Sequence, residues 1–504
     1  MVFSSIFFLC IFLPVMLVGY YLLPKAARNV WLLLGSLFFY AFSEPKYLLL
    51  MLASITGNYV FGMLCAKLSS KRKVEAVASK DYIYGKGVTH ELSEKITIAA
   101  AVVFNLGLLV YFKYFTLLCT TVNDLFNAGI SIPEIVLPIG ISFYTFQGMS
   151  YVIDVYRMEN ALDENGKKIS IVQKNPINLA LYISMFPQLI AGPIVRYTDI
   201  MDRIKVRDVS VSDFAEGIER FIVGLAKKAL LANMIGEIAD EIFACDTAYM
   251  GTGVAWLGAV CYTLQIFYDF SGYSDMAIGL GRMFGFRFME NFNYPYISKS
   301  ITEFWRRWHI SLSTWFKDYL YIPLGGNRSG IVYLNLLVVF LATGIWHGAE
   351  WGFLIWGLWH GIFILLERML KKKNVQIKVP GFVKWIYTML VVVLGWVLFK
   401  LEDIVSALSY LGVMFHTHSH EYNAFELGYY LNGRLIFILI MAVIVAIPWA
   451  QVLPRHIAAY LAEFLSATDG VLVIVRRVLL VALLLISMIC IMNNTYNPFI
   501  YFRF

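Results

Sequence analysis

Charge is what this sequence has least of. Only 15% of its 504 residues are charged while 59% are hydrophobic, and a soluble chain of that length needs far more charge to cover its surface. An ordinary soluble enzyme is therefore excluded. The net charge of +7 is accounted for by the bias of basic loops toward the inner leaflet, so no nucleic-acid partner is implied. Cysteine is sparse and unpatterned: Cys10, Cys65, Cys119, Cys245, Cys261 and Cys490 show no CxxC pair, which argues against a disulfide framework and a structural zinc site. There is no GxSxG elbow, P-loop, HExxH or dinucleotide fingerprint. The internal repeat that marks many transporters is missing as well.

What is present is a succession of apolar runs. They fall near 3–23, 30–43, 47–65, 96–118, 131–152, 176–195, 218–235, 252–269, 331–346, 350–366, 383–400, 434–449 and 471–492. About 20 helical residues cross the roughly 30 Å of a bilayer's hydrocarbon core, so the runs predict an all-α polytopic membrane protein of about ten to thirteen helices, the shorter ones tilted or re-entrant. Residues 1–504 are read as a single integral membrane domain. The first run has no basic residue before it and no small-residue cleavage site after it, so it reads as a retained helix. Lys25 and Arg28 follow it, and "KLSSKRK" from Lys67 to Lys73 is the next basic cluster. The positive-inside rule puts both on the cytoplasmic face and the N-terminus on the extracytoplasmic side. Arg157 to Lys168 and Arg368 to Lys373 are further cytoplasmic candidates.

From Tyr268 to Gly330 the texture changes, with glycine, asparagine, aromatic and charged residues interleaved. Irregular backbone is tolerated at membrane depth only where protein or water covers it. The expectation is short helices and loops lining a polar cavity, open to the cytoplasm near Arg306, Arg307 and Lys317. "GLGRMFG" from Gly279 to Gly285 reads as close helix packing, not as a phosphate loop. The tract "HTHSH" from His416 to His420 reads as an incidental surface loop, and no metal site is expected.

His309, His347 and His360 are the histidines in apolar or amphipathic context. An ionisable group at membrane depth is costly, so it points to function; the bland alternative is a neutral ring bonded to a backbone carbonyl. His347 ends an apolar run and precedes Gly348, which leaves room for a substrate beside its ring. Trp351 lies one helical turn on. His360 follows 13 positions later (360 minus 347), about 220° round an ideal helix, so the two rings share a face only if the helix breaks. His360 then reads as a structural hydrogen-bonding group. Glu350 either orients His347 or faces water at a helix end. In "FWRRWHISLSTWF" His309 sits among Trp305, Trp308 and Trp315, with Arg306 and Arg307 beside it. That is an interfacial anchor, or a cavity wall whose arginines attract an anionic donor. Residue chemistry alone supports a general base in a membrane cavity, because histidine's unperturbed pKa near 6.5 suits proton transfer at neutral pH.

Four stretches carry a resemblance: "LPIGISFYTFQGMSYVIDVYR", "FPQLIAGPIVRY", the run from Phe267 to Arg328, and "GIWHGAEWGFLIWGLWHG". With them the chain resembles the membrane-bound O-acyltransferase (MBOAT) family, in the bacterial branch that contains the membrane protein of alginate O-acetylation. More distantly it is similar to the teichoic acid D-alanylation protein. The resemblance covers residues 137–361, taken as the core with the active site, and leaves 372–504 as C-terminal transmembrane helices. It implies a ring of helices around a central funnel and tunnel, His347 as the catalytic base and His309 as its active-site partner. Arg306, Arg307, Trp308, Trp346 and Trp351 are candidates for donor or substrate contact. It implies no bound cofactor, and an acyl-CoA or acyl-carrier thioester as donor, with acetyl-CoA favoured by "PLGGNR". It also implies an extracytoplasmic SGNH/hydrolase-like acyltransferase partner and, as a further candidate, a small membrane peptide. Glu350 stands where a small or neutral residue is expected. The implied activity is O-acylation of a cell-envelope glycan. The alternatives are D-alanyl transfer to teichoic acid and, in a different class, a proton-coupled transporter or channel, for which repeats and paired intramembrane carboxylates are lacking.

Overall fold

The computed structural model describes residues 1–70, 88–133, 135–163, 165–328, 330–374, 378–416, 426–449, 469–494, 496–498 and 500. Of the His416–His420 tract, positions 417–420 lie outside the described residues, as do positions 71–73 of the second basic cluster. Among the described residues every named element is helical, and the only β-type pairing is an isolated bridge between Leu162 and Lys168. The chain is an all-α polytopic membrane protein.

The first helices are α1 (Leu13–Leu22), α2 (Arg28–Ser43), α3 (Leu48–Ser69), α4 (Leu92–Leu109) and α5 (Phe115–Phe126), the last two joined through a π-turn at Val110–Tyr114. They are followed by α6 (Ile141–Met158), α7 (Pro176–Ser184), α8 (Phe186–Leu189), α9 (Tyr197–Lys205), α10 (Val211–Ala226), α11 (Asn233–Phe243) and α12 (Thr252–Met283). Two short helices, α13 (Ile301–Arg307) and α14 (Ile310–Phe316), lead to α15 (Val332–His347) and α16 (Trp351–Lys372). The remainder is α17 (Gly381–Lys400), α18 (Ile404–Met414), α19 (Leu427–Tyr430), α20 (Gly433–Val445) and α21 (Asp469–Asn493). Five segments are long and apolar enough to cross a membrane: Pro45–Ser69, Leu92–Phe126, Trp351–Lys372, Gly381–Lys400 and Gly470–Asn493. Shorter apolar helices include Val332–His347 and Gly433–Val445.

The longest helix, α12, is not among the five. It carries Gln265, Asp269, Ser271, Ser274 and Asp275, all buried, because it runs through the middle of the protein and faces other helices instead of lipid. The expectation of short helices and loops from Tyr268 onward therefore fails for its first part: residues 268–283 continue α12 without a break. The reason lies in its small residues. A Cβ on Gly272 would stand 2.8 Å from the Gly224 carbonyl oxygen, and one on Gly279 would stand 2.6 Å from that of Gly217. The helices α10 and α12 thus touch backbone to backbone, as small-residue stripes allow in membranes. From Phe284 to Ser300 the chain does become irregular, and α13 and α14 are short.

Two buried clusters meet inside the molecule. One is built on α1–α3, α6–α9 and the second half of α12 and includes Trp315 and Trp346. The other joins α11, the first half of α12 and α16–α18 and includes Trp305, Trp308, Trp356, Trp396 and Phe399. His347 touches both, through Trp346 of the first and Trp356 of the second.

Candidate active site

His347 is the last residue of α15. The following Gly348 is fully extended (φ −160°, ψ 164°), and α16 does not start until Trp351. A Cβ on Gly348 would overlap the Phe353 ring at 2.0 Å, so glycine is what lets the chain turn here against the start of α16. The break cancels the helical-wheel argument for the residues beyond it. Trp351, expected one turn along from His347, is instead 52% exposed on the outer surface. Glu350 is exposed at the N-cap of α16, the water-facing alternative, with no side-chain capping bond.

The same break brings His360 back toward His347. The Trp356 ring centroid lies 5.0 Å from that of His347 and 5.3 Å from that of His360, both edge-on. His360 is fully buried, packed on Trp305 at 5.2 Å with Nε2 directed at Gly395. Neither of its ring nitrogens has a hydrogen-bond partner among the described residues, so the expected hydrogen-bonding role gives way to aromatic packing.

His309 lies between α13 and α14 in the left-handed region (φ 43°, ψ 56°), a conformation that costs a non-glycine residue about 1–3 kcal/mol and persists only when its surroundings enforce it. Asn291 does so. Its backbone carbonyl accepts from Ile310 N at 2.9 Å. Its side-chain Oδ1 lies 3.1 Å from His309 Nδ1, 3.2 Å from Ser311 N and 2.9 Å from Ser311 Oγ. Because the Ser311 N–H can only donate, the atom it meets is the amide oxygen, and His309 Nδ1 must therefore carry a proton. In the neutral ring the lone pair is then on Nε2. Ser311 Oγ in turn accepts from Ile194 N at 3.0 Å, tying in the loop after α8.

Trp346 stands between the two histidines, its ring 6.2 Å from that of His309 and 4.8 Å from that of His347. Both are buried, at 1% and 3% exposed. Phe143 and Phe146 of α6 back Trp346 from the other side. Trp308 is buried against Phe292 and Trp396, in the wall behind His309.

A cavity of about 1110 Å³ opens beside α10, α12 and α21. Phe267, Ser271, Phe292 and Ile310 line it. Phe292 touches Phe270 at 4.9 Å and Phe270 touches His309 at 4.6 Å, so two rings in series link the cavity lining to the His309 ring. Its charged rim is internally neutralised: Arg220 pairs with Asp275 and Glu290, both at 2.6 Å, Lys227 with Asp275 at 2.7 Å, and Arg476 with Glu219 at 2.5 Å. Arg307 reaches this rim through the Asn293 carbonyl at 3.1 Å and pairs with Glu303 at 3.0 Å, whereas Arg306 is exposed.

Lys113 and Asn291 escaped the sequence reading. A lysine inside the apolar run 96–118 was a visible signal, since a charge at that depth needs a reason; nothing in the sequence singles out Asn291. Among the described residues no cluster of His, Cys, Asp and Glu is arranged to hold a metal.

The model of MBOAT, the membrane-bound O-acyltransferase family, matches residues 113–408, a span that holds Lys113, Asn291, His309, His347 and His360. The chain belongs to the membrane-bound O-acyltransferase family. It is 39% identical over 523 aligned positions to the probable alginate O-acetylase AlgI of Pseudomonas putida, covering 100% of both chains. It is 36% identical to the peptidoglycan O-acetyltransferase of Helicobacter pylori over 82% of this chain and 79% of that one. With the teichoic acid D-alanyltransferase of Bacillus subtilis the identity is 28%, over 48% of this chain and 61% of that one. This membrane-bound O-acyltransferase is thus a multi-pass membrane enzyme that transfers acyl groups to oxygen.

Proposed function

We propose that the enzyme O-acetylates a cell-envelope glycan, taking the acetyl group from a cytoplasmic thioester, acetyl-CoA, and passing it across the bacterial inner membrane. The observation that carries the chemistry is the approach of two buried histidines, one ending α15 and one in the turn between α13 and α14, to either side of Trp346. His347 removes the proton of the attacking hydroxyl as its oxygen bonds to the thioester carbonyl carbon. Collapse of the tetrahedral centre breaks the carbon–sulfur bond, and the proton passes to the leaving thiolate. His309, held by Asn291, steadies the carbonyl or the charge that develops on it. Residues 137–361 form the catalytic core in this reading, with 372–504 as supporting helices. The N-terminus faces outward, and an extracytoplasmic hydrolase-like acyltransferase completes the transfer to polymer. Acetyl transfer is favoured because acetylating relatives match four-fifths or more of the chain, against about half for the D-alanylating one.

The test is His347→Ala in the full-length chain. Membranes carrying the wild type, supplied with radiolabelled acetyl-CoA, are expected to incorporate label, and the variant is expected to lose at least about 10²-fold while remaining folded in detergent. Full activity in the variant rules out His347 as the base. Incorporation of D-alanine but not acetyl by the wild type reassigns the donor.

A further inference from the structure

The C-terminal turn of α15 presents an unusual problem. Gly348 N–H closes back onto Gly344 O, so the carbonyls of Ile345, Trp346 and His347, at the end of the helix, need donors from elsewhere. Two consecutive residues of another helix supply all three. Tyr114 Oη donates to Ile345 O at 2.5 Å. Lys113 Nζ donates to Trp346 O at 2.5 Å and to His347 O at 3.1 Å, with Ser142 Oγ 3.4 Å away. The lysine is buried and its amine meets three oxygens, those of the Trp346 and His347 carbonyls and the Ser142 hydroxyl.

Lys113 and Tyr114 both lie in the π-turn Val110–Tyr114 that interrupts the long α4–α5 helix. A π-turn inserts one extra residue and rotates the next side chains, a distortion often kept at functional sites. The lysine's amine sits at the carbonyl end of α15, where positive charge is favoured, and its Nζ lies 5.9 Å from the centre of the Trp346 ring between the two histidines. The chain leaves His347 in extended form at Gly348, and the lysine holds the His347 carbonyl at that exit.

We infer that Lys113 and Tyr114 are positioning residues that set the ring of His347 through the backbone of the turn that carries it. This rests on the reading of His347 as the base. Fixing a reacting group to within a fraction of an ångström is where such a clamp acts on rate, and a 1 Å misplacement costs about 10²-fold.

The experiment uses the full-length chain in membranes with radiolabelled acetyl-CoA, measuring kcat and the KM for acetyl-CoA, together with the thermal midpoint of purified protein. Lys113→Met is expected to lower kcat about 10²-fold with KM within about threefold. Lys113→Arg, which keeps the donors, is expected to recover at least about tenfold of that loss. Tyr114→Phe, losing one hydroxyl, is expected to cost about tenfold in kcat. Wild-type kcat in Lys113→Met or in Tyr114→Phe overturns the inference, as does a rise in KM that accounts for the loss. Should Lys113→Met fail to fold, Tyr114→Phe decides alone. An inactive wild type or an active His347→Ala marks failure of the acetyl-transfer reading; a dead His347→Ala beside a fully active Lys113→Met marks failure of the clamp.

Discussion

Replacing Asn291 by alanine removes one oxygen that serves three donors on two residues: His309 Nδ1 at 3.1 Å, Ser311 N at 3.2 Å and Ser311 Oγ at 2.9 Å. All lie at buried positions. A buried donor that loses its acceptor costs about 1–3 kcal/mol, and a serine hydroxyl can rotate while water enters the vacated space, so the net loss of stability should be about 3 kcal/mol rather than the full sum. The backbone of His309 is meanwhile released from its left-handed conformation, since Ser311 no longer has its anchor. Ring orientation follows backbone, and acyl transfer is expected to fall about 10²-fold. Asn291→Asp keeps an oxygen in the same place and is expected to retain more activity than Asn291→Ala. The assay pairs initial rates of label incorporation with thermal unfolding in detergent. If Asn291→Ala unfolds at the wild-type temperature and transfers at the wild-type rate, Asn291 does not hold His309, and the assignment of the Nδ1 proton loses its basis.

Gly279→Leu places a side chain where a Cβ alone would be 2.6 Å from the Gly217 carbonyl; forcing α10 and α12 apart should cost at least about 1–3 kcal/mol, read as a lower thermal midpoint or loss of monodisperse protein. Asp269→Asn leaves the buried Lys228 without its 2.6 Å counter-ion, a change expected to destabilise by about 3–5 kcal/mol. It also weakens the seat of the C-terminal segment, whose Ile500 N–H donates to Asp269 Oδ2 at 2.9 Å. The paired change Asp269→Leu with Lys228→Met should be milder than Asp269→Asn, because no charge is left buried alone; a more severe double variant would contradict the argument.

Membrane residence was written in the composition, because scarcity of charge and repeated apolar runs depend on solvent and not on packing. His347 and His309 were legible as candidates for the same reason: polar groups among apolar neighbours need partners. Lys113 carried the same signal, submerged in its run. The sequence misled from Tyr268 onward, where interleaved polar and aromatic residues read as short helices and loops although α12 continues to Met283; close packing was legible at Gly279, which lies against the Gly217 carbonyl of α10.

By itself, then, the sequence determined a helical membrane protein with ionisable groups at membrane depth, because each of those properties follows from local composition and the cost of burying charge. Tertiary structure decided which of those groups meet. The break at Gly348 exposes Trp351 and returns His360 to the aromatic cluster. The left-handed turn at His309, enforced by Asn291, turns that ring toward Trp346. The π-turn in a distant helix delivers Lys113 to the backbone of His347. Each is a contact between segments far apart in the chain, and no helical period relates residues across a helix break.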